Sequence, residues 1–173
     1  MSTTRLLLLG ALRRIQPAHG YELRQELERW EADKWAAISY GTIYHALTSM
    51  QKAGLLKVAP DQPRKGGTSK MSYILTALGQ KEYQRLLEES WLTIHPVHDP
   101  MLVALNFRSD LSYKSLHAGL KIRVQAAEAA VAHLQERKAV SPLYVAANID
   151  LAIRQQQVFV EWAKNILRDE YAQ

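Results

Sequence analysis

The chain has 173 residues, 47% of them hydrophobic and 23% charged, which suits one folded domain, or one small domain with an appendage, and argues against wholesale disorder. It has no cysteine, which excludes disulfide frameworks, thiolate metal sites and cysteine nucleophiles and fits a cytoplasmic home. The net charge of +5 is unevenly spread: residues 39–79 carry five Lys or Arg against one Asp, the footprint of a polyanion binder.

The opening apolar run, LLLLGAL, is too short to span a bilayer and has no small-residue cleavage site after it, so it reads as a core helix. Leu6, Leu9, Leu12 and Ile15 share one stripe of that helix over residues 3–15, with Thr3 or Thr4 as N-cap and Gln16–Pro17 as its end. A second helix is expected from about Ala18 to Trp30, with Tyr21 or Leu23, Leu27 and Trp30 facing inward. A short polar bridge through Lys34 leads to a third helix, capped by Ser39 and closed by Gly54.

The third helix has two unlike faces. Ile43, Leu47 and Met50 follow i, i+4, i+7 and form a core face. The other face offers Tyr40, Thr42, Tyr44, His45, Thr48, Ser49 and Lys52, and no carboxylate occurs from Ser39 to Leu56. Such a face donates hydrogen bonds and repels nothing negative. Two strand-like runs follow, Leu55 to Ala59 and Met71 to Leu75, separated by PDQPRKGGTSK. This long hairpin loop carries Arg64, Lys65 and Lys70 at a positive tip. Thr76 then caps a fourth helix with Ala77, Leu78, Tyr83, Leu86, Leu87 and Trp91 as candidate buried positions.

Three helices followed by a basic hairpin give a mainly α fold with a small β-hairpin wing, the order of a winged helix-turn-helix. Its third helix enters a major groove only if its outer face lacks carboxylates, while the wing tip reaches phosphates. The expected partner is double-stranded DNA, contacted by Ser39, Tyr40, Thr42, Tyr44, His45 and Thr48 and by Arg64, Lys65 and Lys70 of the wing.

The segments HGYEL at 19–23, GTIYHAL at 41–47, GLL at 54–56 and YILTALG at 73–79 resemble the PadR family of bacterial transcriptional regulators, in order and spacing, across roughly residues 4–92. The resemblance implies a winged helix with His19, Tyr21 and Tyr44 near DNA. The chain departs from the family pattern at His45 and Tyr40, where prolines are usual. Both changes add hydrogen-bonding groups at the groove face and so shift sequence preference.

Beyond residues 1–92, the winged-helix domain, residues 93–173 read as a helical dimerisation domain. Leu116, Leu120, Val124, Ala127, Val131 and Leu134 recur in a heptad-like seam. Pro142 starts a last helix in which Ala146, Ile149, Ile153, Gln156, Val160, Ala163 and Leu167 recur at spacings of 3 and 4. Val145, Ala152, Phe159 and Ile166 widen that stripe, and a wide stripe needs one partner within the chain and one outside. Longer members of the resembled family look like homodimers joined through such helices, and the resemblance makes repression the default.

Trp91, His95, His98 and Phe107 surround a proline-rich hinge, and Arg108 and Arg123 supply cations nearby in sequence, which suggests a pocket for a small-molecule effector; the family resemblance implies a phenolic or other aromatic compound. The plain alternative is that Trp91 and Phe107 only seal a junction. His95 and His98 with Asp99 make a weak metal set, because Pro96 stops them sharing a helical face. No hydrolase, phosphate-loop or dinucleotide motif occurs, so neither an enzyme nor a cofactor is expected. The rival reading is a winged-helix adaptor that binds protein alone; carboxylates on the third helix or an acidic wing would favour it, and the sequence has neither.

Overall fold

The computed structural model describes residues 3–36, 38–60, 71–94 and 99–169, apart from the side chains of Tyr40 and Asp169. The chain divides into two compact units, Met1–Pro96 and Val97–Gln173. In the first, α1 (Thr3–Ile15) is followed by β1 (Ala18–His19), α2 (Gly20–Arg29), α3 (Ala32–Trp35), α4 (Tyr40–Lys52), β2 (Leu56–Val58), β3 (Ser72–Leu75) and α5 (Ala77–Leu92). This is a winged helix, mainly α with a small antiparallel sheet.

The sheet has three strands, in the order β1-β3-β2, where the sequence suggests a two-stranded hairpin. Pro17 stops α1, and the next two residues stay extended and pair Ala18 with Tyr73 and His19 with Ser72. Helix α2 therefore starts at Gly20 and not at Ala18. Similarly, the polar bridge contains a one-turn helix, α3, tied down where Trp35 Nε1 donates to the Trp30 carbonyl at 3.0 Å.

Leu8, Leu9, Leu12, Leu23, Leu27, Ile43 and Leu47 form the fully buried centre of this unit. Helix α1 is rotated from the expected stripe: Leu8 joins Leu9 and Leu12 inside, while Leu6 and Ile15 sit at the margin. On α2, Leu23 faces the core and Tyr21 is half-exposed; on α5, Leu86 is buried whereas Leu78 and Trp91 are exposed. The α4 periodicity places Ile43, Leu47 and Met50 in the core, and Gly54 closes the helix at φ 73°. Thr76 caps α5 by accepting from the Gly79 amide at 3.0 Å.

The second unit holds α6 (Pro100–Leu105), a 3-10 turn (Arg108–Asp110), α7 (Tyr113–Val140) and α8 (Leu143–Asp169). The two long helices pack on each other as an antiparallel hairpin across the Ser141–Pro142 turn. Leu120, Val124 and Ala163 are buried at its centre with Leu116, Val160 and Leu167 packed against them, and Ile149 and Ile153 are buried as well. Of the two heptad-like seams, Leu120, Val124 and Ala163 form this buried centre, with Leu116, Val160 and Leu167 partly buried against it. Lys138 with Asp150 and Lys164 with Glu128 bridge the helices at the rim. Hydrogen bonds first from Lys138 and then from Arg154 hold the Asp150 carboxyl down at about 2.

Candidate nucleic-acid interface

Helix α4 is positioned by its apolar face, and the register that buries Ile43, Leu47 and Met50 turns Thr42, Tyr44, His45, Thr48, Ser49 and Lys52 outward together. Ser39 is exposed just before its first turn, and the backbone of Tyr40 begins the helix. Tyr44 is half-exposed, with its ring laid across the start of α2: a Cβ added at Gly20 would meet Tyr44 Cε1 at 2.7 Å. Gly20 is the residue that lets the ring lie there.

The hydroxyls of this face do not all serve as donors. Thr42 Oγ1 donates to the Ser39 carbonyl at 2.7 Å, and Thr48 Oγ1 donates to the Tyr44 carbonyl at 3.0 Å. Both protons are spent on the helix's own backbone, so these threonines turn lone pairs outward and suit base amino groups, not phosphates. Phosphate oxygens only accept, which directs them to tyrosine, histidine and lysine groups. Lys52 at the end of α4 and Lys57 on β2 are exposed cations of the same unit. The wing residues Arg64, Lys65 and Lys70 lie outside the described residues.

His19 has a structural task. Its amide donates to Glu22 Oε2 at 2.8 Å across the first turn of α2, and its Nδ1 lies 3.0 Å from Ser72 Oγ on β3. Gln16 adds a second tie, its Oε1 accepting from the Leu75 amide at 2.8 Å. Gln16, His19 and Ser72 thus fasten the root of the wing to the start of α2. None of these ties is visible in the sequence except as a polar residue beside Pro17 and an HGYEL segment that begins with histidine. The carboxylates on α2 are engaged: Glu22 by the His19 amide, Glu26 by Arg29 at 2.5 Å and Glu28 by Arg24 at 2.7 Å.

The candidate effector residues are divided between the units. Trp91 is 83% exposed at the end of α5, while Phe107 and Arg108 are exposed in the second unit. Arg123 on α7 is exposed and stands over the Phe159 ring of α8 at 5.7 Å. His95 and His98 lie outside the described residues. Two clefts of the second unit lie along α7 and α8, one of about 540 Å³ lined by Lys138, Asp150, Arg154 and neighbours, the other of about 370 Å³ lined by Val131, Val160 and neighbours. Among the described residues, no cluster suits a metal ion and no helix is long and apolar enough to cross a membrane.

Residues 8–85 match the model of the transcriptional regulator PadR-like family. No curated protein sequence matches the chain. Among solved structures, the fold is shared with Bacillus subtilis PadR in complex with operator DNA (TM-score 0.76, 20% identity, covering 95% of this chain and 97% of that one). It is shared with the same protein in complex with p-coumaric acid (TM-score 0.77, 19% identity, 96% and 97% covered). A PadR-like regulator from Bacillus cereus is similar over 97% of this chain and 98% of its own (TM-score 0.71, 19% identity). These identities carry the fold, and the family assignment comes from residues 8–85. Over residues 8–85 the winged-helix unit thus matches the PadR-like family of transcriptional regulators.

Proposed function

We propose that the chain is a sequence-specific DNA-binding repressor that acts as a homodimer in the cytoplasm and has no enzymatic activity. The observation that carries this reading is the carboxylate-free outer face of α4, held in a winged helix whose α2 carboxylates are all engaged. Tyr40, Tyr44 and His45 are assigned to the groove, with Ser39, Thr42 and Thr48 accepting from bases. His19 and Tyr21 lie at the start of α2, while Arg64, Lys65 and Lys70 serve phosphates. The operator-bound neighbour lends support for DNA as the partner. Two-fold symmetry implies an inverted-repeat operator with half-sites about 10 base pairs apart or a multiple of that. Selection of bound genomic fragments by the purified protein, followed by anisotropy titrations, tests the reading; failure to bind any duplex at low salt overturns it.

Dimerisation is assigned to the second unit, on a different face from the one the heptad pattern suggests. Tyr144, Leu151 and Val158 are exposed at seven-residue spacing along α8, an outward seam beside the buried Ile149 and Ile153. The domain limits that go with this division of labour are 1–92 for DNA and 93–173 for dimerisation and effector binding. A phenolic effector is supported by the p-coumaric-acid-bound neighbour and by the aromatic and cationic set Trp91, His95, His98, Phe107, Arg108 and Arg123. Screening aromatic acids for release of bound DNA and for quenching of tryptophan emission tests it.

A further inference from the structure

Helix α2 carries a stripe at i, i+4, i+8 formed by Gly20, Arg24 and Glu28. The Tyr44 ring covers Gly20, one turn from Arg24, and Tyr21 precedes Arg24 by three residues on the same side. Arg24 therefore stands where the two candidate DNA-contacting tyrosines of α2 and α4 meet. Its side chain is 45% exposed, and its Nε donates to Glu28 Oε1 at 2.7 Å, so a carboxylate engages one of the donors that a phosphate would use. The guanidinium is held above its ordinary value by Glu28 first, with smaller contributions from Tyr44 and Tyr21 that mark how near the groups lie.

We propose that Arg24 is a phosphate-binding residue of the DNA interface and that Glu28 competes with DNA for its guanidinium. The inference rests on the DNA-binding reading above and goes beyond it by naming a contact and an internal competitor. An exposed pair spaced i, i+4 is weak, so a phosphate among many displaces Glu28 readily, and the pair tempers binding without blocking it. Between encounters the carboxylate also keeps the guanidinium extended along α2, near the position a phosphate would occupy. Free DNA phosphates carry condensed counterions, and each cation that replaces one steepens the dependence of affinity on salt.

The test uses the full-length protein and a mixed-sequence duplex, followed by anisotropy over a range of salt, with melting curves to confirm that each variant is folded. Arg24→Ala is expected to lower the salt slope by about 1, and Arg24→Lys to restore most of it, because any cation neutralises a phosphate. Glu28→Gln is expected to tighten binding about twofold, matching the strength of an exposed helical pair, and to lose that gain when combined with Arg24→Ala. An unchanged slope in a folded Arg24→Ala overturns the proposal. So does a Glu28→Gln gain that persists in the Arg24→Ala background, since it would come from the general field of one lost carboxylate. Absence of binding by the unaltered protein overturns the DNA-binding reading itself.

Discussion

Gly20→Ala separates packing from recognition in this fold. The added Cβ would come to 2.7 Å from Tyr44 Cε1, 3.1 Å from Cδ1 and 3.3 Å from Leu47 Cδ1. The first of these is far inside van der Waals contact, so the ring must retreat by about 1 Å. Tyr44 is half-exposed and can swing toward solvent, so the main clash is relieved by moving its ring, with Leu47 giving by a few tenths of an ångström and the backbone unmoved. Replacing glycine also narrows the unfolded ensemble, a stabilisation of about 0.4–1 kcal/mol that offsets much of the lost contact. The expected melting temperature therefore lies within a few degrees of the original, about the shift that a few tenths of a kcal/mol produces in a unit of this size. DNA affinity, by contrast, loses the hydrogen bond of a displaced Tyr44 hydroxyl, about 1 kcal/mol or roughly fivefold. Tyr44→Phe should give a similar loss with the packing intact. Anisotropy titration beside thermal melting reads both quantities. Unchanged affinity in Gly20→Ala, with the fold retained, would refute the placement of Tyr44 at the interface.

At Gly79 the same substitution has the opposite character: its Cβ would come 2.1 Å from the Leu55 carbonyl oxygen, which also accepts from the Thr76 amide and hydroxyl. About 2 kcal/mol of overpacking plus about 1 for the weakened cap should lower the melting temperature by roughly 12–24 °C; a melt within a few degrees of the original would contradict this. Ile153→Glu buries a charge inside the α7–α8 hairpin and should unfold the second unit, whereas Leu151→Glu should leave helicity intact and yield monomers by light scattering. A dimeric Leu151→Glu would remove α8's outer seam from consideration. The depressed Asp150 carboxyl contributes stability that is present above the unfolded carboxylate value and lost as pH falls toward about 2. Acid unfolding of the second unit should therefore flatten between about pH 4 and pH 2 in Asp150→Asn, as read by circular dichroism.

The sequence showed clearly what periodicity controls. Ile43, Leu47 and Met50 define the buried side of α4, and the complementary face follows from the helix repeat alone. The β1 strand was not legible, because two residues carry no period and Ala18 and His19 become extended only by pairing with β3, more than fifty residues away. Trp91 illustrates a different limit. Its spacing on α5 matches a core position, yet a helix longer than the surface it packs on carries its last turn past the core. The α8 seam was legible as a stripe but not as an assignment. Spacings of 3 and 4 state that a face is buried without saying which residues meet which partner, and the two-residue turn after α7 brings Val160, Ala163 and Leu167 onto α7 of the same chain.

The wing-root ties bear on how recognition is shared. The histidine proposed to lie near DNA is the one that fastens β3 to α2, so its loss would loosen the wing root whether or not it removes a contact. Ser72→Ala distinguishes the two roles, since it releases the His19 ring from β3 without touching the ring itself. If His19 acts mainly by holding the wing, Ser72→Ala and His19→Ala should weaken DNA binding alike. If its ring also contacts DNA, His19→Ala should weaken binding more than Ser72→Ala, because it removes the contact together with the tie. The second tie, from Gln16 to the Leu75 amide, is independent of both and should keep the sheet paired in either variant. The described strands of the wing are thus held at two points. That is why weakening one tie should change affinity by a modest factor and leave the fold standing.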